Sequence, residues 1–171
     1  MKVFIITLFA FTFFAGLTIA LTIDGNCNSE NSRQFDFWIG NWSLDWKNAD
    51  GTNGKGTNVV KKIYDGCVIE ENFDGTPSIP LKGKSFSVYD EKNKIWKQTW
   101  VDNNGSYLDF KGGMIDNKMI LKRNFNLNGN KIFQRMIFYN IGENEFDWNW
   151  EKSTDEEKTW QLLWKIHYMR K

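Results

Sequence analysis

One histidine, two cysteines and two prolines are all that this 171-residue chain holds of those residue types, and each scarcity excludes something. A single imidazole, His167, with no Cys-x-x-Cys pair and no His-Glu-x-x-His run, supplies no zinc site of the usual ligand sets. No Ser-His-Asp set and no phosphate-cradling glycine loop is legible, so metal- and nucleotide-dependent chemistry is not expected, and no cofactor is assigned. A Pro-, Gly- or Ser-rich linker is missing, and so is any low-complexity tract or repeat, which argues for one domain. Charge of one sign is not in excess either. Residues 1–20 carry one Lys and no acid, so the remainder balances 21 basic against 21 acidic residues. That balance gives no electrostatic reason to expect nucleic acid or anionic lipid as a partner.

What is there begins with an apolar stretch, uncharged from Val3 to Leu17, ending in Thr18-Ile19-Ala20 with small residues at both cleavage positions. This pattern predicts a signal peptide over 1–20 and a secreted or periplasmic location. The competing reading is an uncleaved anchor, which needs about 20 apolar residues; the stretch from Val3 to Ile23 nearly reaches that length. No second apolar run follows, so no stable membrane insertion is expected after cleavage. The predicted organisation is a signal peptide at 1–20, an N-terminal arm at 21–34 and a barrel domain at 35–171. In an exported chain Cys27 and Cys67 can pair, which would pin the arm to the domain. The alternative for Cys67 is a buried free thiol.

The rest of the chain is short apolar and aromatic runs separated by Asn, Asp and Gly. Nine such separators, roughly ten residues apart, run from "NADGTNG" at 48–54 to "STDEEK" at 153–158. They imply ten strands in an antiparallel meander. Successive strand residues face opposite ways, so "EFDWNWE" at 145–151 shows one dry face made of Phe146, Trp148 and Trp150. The last strand has Trp160, Leu162, Trp164, Ile166 and Tyr168 on its dry face, and Trp96, Gln98 and Trp100 share another. The segments at 55–64, 118–125 and 131–139 alternate poorly, and their faces stay unassigned. With no helices to cover the dry faces, the sheet must form a sandwich or close on itself, and the regular hairpin spacing favours a closed barrel. The longer separator at 74–83 is a candidate lid.

Gly40-Asn41-Trp42 at the entry to the first strand resembles the Gly-x-Trp signature of lipocalins and their calycin relatives. Those barrels pack a basic side chain from the last strand over that tryptophan, and Arg170 stands at the matching place. The blocks "FDFWIGNW" at 35–42, "GCVIEENF" at 66–73, "GKSFSVYDEKNKIWKQTWVD" at 83–102 and "FKGG" at 110–113 look like the bacterial family known as domain of unknown function 1579 (DUF1579). That resemblance implies an all-β, calycin-like barrel similar in shape to nitrobindin and the lipocalins, and it implies no particular activity. Nitrobindin-type barrels hold haem through a histidine. Parity sets His167 with Gln161 and Lys165, opposite Trp160 and Trp164, so a haem ligand is not expected here.

Polar residues on the dry face are the candidates for chemistry, because a buried polar group needs a partner and a ligand can be that partner. Gln98 lies between Trp96 and Trp100. In "CVIEENF" the apolar parity of Cys67, Ile69 and Phe73 carries Glu71 inward and leaves Glu70 outside. A salt bridge from Glu71 to Arg135 or Arg123 is the structural alternative to a functional role. Nine tryptophans either line a cavity or fill it; the expectation is a partly filled cavity open at one mouth, lined by Trp96, Trp100, Trp148 and Trp164 with Gln98 and Glu71. The leading reading is a barrel that binds a small apolar or amphipathic molecule. The alternatives are a metal-independent isomerase, cyclase or hydrolase using Glu71, and a solid barrel whose loops do the recognising.

Overall fold

A computed structural model describes residues 27–171; the expected leader and the start of the arm lie outside the described residues. Two short 3-10 turns, Asn31–Arg33 and Asp36–Trp38, lead into ten strands. These are β1 (Gly40–Lys47), β2 (Asn53–Ile63), β3 (Val68–Asp74), β4 (Lys82–Asp90), β5 (Ile95–Asp102), β6 (Tyr107–Ile115), β7 (Lys118–Leu127), β8 (Asn130–Tyr139), β9 (Glu145–Ser153) and β10 (Gln161–Arg170). Each strand pairs antiparallel with the next, and β10 returns to β1 to close the barrel. The ten-strand meander therefore follows the separators read in the sequence.

Closure is built from the residues around Trp42. Trp42 pairs with Arg170 across β1 and β10, and the Arg170 guanidinium lies 4.3 Å from the indole centroid. The same guanidinium donates to the backbone carbonyls of Ile39 at 2.9 Å, Glu143 at 3.0 Å and Phe37 at 3.4 Å. Gly40, at φ +149°, leaves the space for it: a Cβ there would stand 2.2 Å from an Arg170 nitrogen. Phe35 and Trp38 from the N-terminal turns are fully buried and stop this end of the barrel, with the Trp42 indole N–H donating to the Trp38 carbonyl at 2.9 Å. Aromatic side chains bury about 150–250 Å² each, worth about 4–6 kcal/mol at 25 cal/mol per Å². That makes this plug a principal apolar anchor of the fold. A Cys27–Cys67 disulfide ties the incoming arm to the β2–β3 turn at the same end.

The segments whose faces were unreadable now explain themselves. On β2 the inward residues include Gly54, Gly56, Asn58 and Val60, so no apolar alternation exists to be seen. The glycines are there because the Trp46 indole occupies the space, and a Cβ at Gly54 would lie 2.0 Å from its ring nitrogen. Gly83 admits Trp100 in the same way. On β7 and β8 the outward positions carry long side chains, partly covered, that blur the contrast between faces.

One face assignment is corrected. The β9–β10 register shifts between Leu162 and Trp164, a bulge that adds a residue and rotates everything before it to the other side. Leu162 is consequently half exposed. Trp160 lies outside the barrel, stacked under the Arg135 guanidinium at 3.9 Å with Lys122 on the same ring.

Candidate functional site

Inside the barrel, away from the plugged end, is a cavity of about 220 Å³. Its floor is Trp38. Its walls include Phe73, Trp100, Phe110, Trp148, Trp150, Trp164 and Tyr168, with Glu71, Gln98 and Asp102 as polar members. The volume is below the roughly 300–1,000 Å³ of drug-sized sites, so aromatic side chains fill much of the interior. The strands place the aromatic rings by parity, and the rings then order one another. Trp164 meets Trp46, Trp148 and Phe73 edge-on, Trp150 meets Phe110 edge-on, and Trp148 and Trp150 lie parallel on β9. Edge-to-face contacts of this kind hold rings in fixed orientations, so the wall is a shaped surface. The β3–β4 connection crosses the other end, where Leu81 lines the cavity and Ile79 packs on the core; the segment expected as a lid stands over the mouth.

Glu71 is on the cavity wall and almost completely buried. Its two oxygens accept one bond each, from the Asn58 side-chain amide at 2.6 Å and the Ser85 hydroxyl at 2.6 Å. Neither donor is charged. Burial without a counter-ion pushes the Glu71 carboxyl up to about 7, against which the bonds from Ser85 and Asn58 pull only part of the way back. The Asn58 amide also donates to the Tyr168 hydroxyl at 3.3 Å. Burial, reinforced by the neighbouring Glu71 charge, raises the Tyr168 phenol far above its ordinary value, so it stays a neutral hydroxyl. Gln98 sits beside this group, donating to the Ser87 hydroxyl at 3.0 Å. Two buried polar atoms here have no protein partner: the Asn58 carbonyl oxygen and the Trp38 indole N–H.

The structural alternative for Glu71 is overturned. Arg135 faces outward on β8 and pairs with Glu151 on β9. Arg123 bonds Gln134 and lies against the rings of Phe110 and Phe125. Neither reaches Glu71. Glu70, as parity requires, faces out and is held by Lys61 and Lys84. That pairing holds its carboxyl below the usual range, Lys84 acting most strongly.

Of the six expected lining residues, the fold brings five together: Gln98, Glu71, Trp100, Trp148 and Trp164. Trp96 is elsewhere. It stands nearer the plugged end of β5, edge-on to Phe35 and beside Tyr89, with its N–H aimed at Gln34. Parity assigned its face correctly and said nothing of its depth along the barrel axis. Sequence reasoning missed Asn58, Ser85 and Tyr168 as a group. Tyr168 was visible as a dry-face residue, whereas Asn58 is on a strand with no clear alternation and Ser85 on one whose apolar Phe86 and Val88 face outward. His167 is on the outer surface, its Nδ1 at 3.1 Å from Asp147. No protein-family model matches the chain, and no curated protein matches it.

Proposed function

We propose that this protein is an exported, calycin-type β-barrel of the DUF1579 kind that holds a small amphipathic molecule in its aromatic cavity. The observation that carries the reading is the cavity itself. Rigid aromatic walls meet a few polar groups at Glu71, Gln98 and Asp102, with Glu71 held by Asn58, the combination of apolar lining and few convergent polar groups that ligand sites use. The arrangement of Gly40, Trp42 and Arg170 supports the calycin assignment, and the apolar leader supports export. Native mass spectrometry of the protein from its host's envelope, followed by denaturation, tests it. A small molecule bound one to one is the expected result; an envelope-purified protein that carries nothing and takes up nothing sinks the carrier reading.

A second reading is favoured by one observation. A carboxyl titrating near neutrality inside a cavity suits general acid–base work, so a metal-independent isomerase, cyclase or hydrolase is the alternative. Glu71→Gln separates the two, because it abolishes turnover in an enzyme and leaves a neutral ligand's affinity within a few-fold in a carrier.

A further inference from the structure

The cavity wall contains two carboxyl side chains, Glu71 and Asp102, and no lysine, arginine or histidine. Asp102 is engaged through both oxygens, accepting from the Trp100 indole at 2.9 Å and from the backbone N–H groups of Asn104 at 2.9 Å and Ser106 at 3.1 Å. Glu71 is deeper, and both of its protein donors are neutral. Arg123 and Lys152 share the inward parity near the rim but do not line the cavity. Trp100, Trp148, Trp150 and Trp164 line the same cavity. An acid without a counter-ion inside an aromatic box has the chemistry that recognises an organic cation: the carboxylate takes the ammonium, and the ring faces take the rest of the charge.

Resting on the carrier reading above, we infer that the ligand class is a small primary or secondary amine with an apolar body, its ammonium against Glu71 and its body among the tryptophans. An anionic amphipath, such as a fatty acid, would put like charge beside Glu71 with no cation on the cavity wall to meet it. Binding an ammonium requires Glu71 to be ionised. The titratable group facing it from the packed strands is Tyr168 on β10, which stays neutral; Glu70, Lys61 and Lys84 are on the outer surface. Affinity for an amine therefore rises with pH through the Glu71 titration near 7 and levels off until the amine loses its own proton near the lysine range, about pH 10.

The test uses three probes of one size and three charges: phenethylamine, phenethyl alcohol and hydrocinnamate, titrated into the disulfide-bonded protein and read by tryptophan fluorescence. The amine is expected to bind about tenfold or more tighter than the alcohol at about pH 8, and the acid more weakly than either. Amine affinity is expected to drop about tenfold between about pH 8 and pH 6, with the alcohol unaffected. Glu71→Gln is expected to erase the amine's advantage and its pH dependence, and the pH series on the native chain tests the same point should that variant fail to fold. Equal affinities for amine and alcohol, tighter binding of hydrocinnamate, a flat pH series or no binding of any probe each overturns the cation assignment. The carrier reading stands or falls separately, on the molecule released from the envelope-purified protein.

Discussion

A carboxyl such as Glu71 loses its hydration on entering the barrel and gains in return only the neutral donors Ser85 and Asn58. Its folded value near 7 lies above the ordinary 4.5, so between those values the folded protein holds a proton that the unfolded chain releases. The sign follows: the contribution of this group is complete below about pH 4.5 and is lost as pH rises through 7. The loss amounts to about 3 kcal/mol. Denaturant titrations of the wild type and of Glu71→Gln at about pH 5 and pH 8 check this. The variant is expected to gain on the wild type by about that amount at the higher pH, and a parallel pH dependence in the two proteins rules the account out. Asp74 and Asp155, pulled down to about 2 by Lys82 and Thr159 respectively and by neighbouring bonds, act with the opposite sign and below about pH 4, outside this window. That Glu71 faces inward was legible from Ile69 and Phe73 on either side of it. Its partners were not, because Asn58 and Ser85 reach it from other strands and neither advertises a buried position.

Among the elements, the arm and β2 show how much a pairwise contact depends on what lies opposite. Cys27 and Cys67 are 40 residues apart, and closing a loop of that length removes about 4 kcal/mol of unfolded-state entropy in the chain model. Replacing both with serine is expected to lower the melting temperature by about 10 °C while leaving the far-ultraviolet signature of the barrel, since neither cysteine belongs to a strand and the bridge joins the arm to the β2–β3 turn. An unchanged melting temperature in calorimetry would remove the bridge from the account of stability. The inward face of β2 was illegible for a tertiary reason: Gly54 and Gly56 are small because Trp46 on β1 is large. In β10 the alternation read correctly from Trp164 onward and failed before it, where the bulge resets the parity. A period-two pattern carries no mark of an inserted residue.

For the whole molecule, the decisive contact joins the two ends of the chain. Trp42 and Arg170 are far apart in sequence and adjacent across the closing strands, and the arginine fixes three carbonyls of the surrounding segments as well as the indole. Arg170→Ala leaves those carbonyls unpaired and removes the cation from the ring, a cost expected at about 2–4 kcal/mol. Arg170→Lys is expected to recover less than half, because a single ammonium lacks the planar fork that serves several carbonyls at once. Urea unfolding of the two variants measures both numbers; a loss under about 0.5 kcal/mol in Arg170→Ala would mean that the β1–β10 backbone ladder closes the barrel unaided.

The sequence by itself determined the number of strands, their order and the dry side of β3, β5, β9 and β10 from Trp164 onward. Turn residues and period-two alternation are local properties, set within a few positions of one another. Its resemblance to the calycins also pointed to Gly40, Trp42 and Arg170 as the closing contact, and parity carried Glu71 to the interior. Only the tertiary structure decided how deep along the barrel each inward residue sits, which separates Trp96 in the plug from Trp100 in the cavity. It alone revealed that glycines on one strand answer tryptophans on the next, and that no cation on the cavity wall reaches Glu71. Depth, complementarity and unmatched charge are relations between strands distant in sequence, and they come into being when the sheet closes.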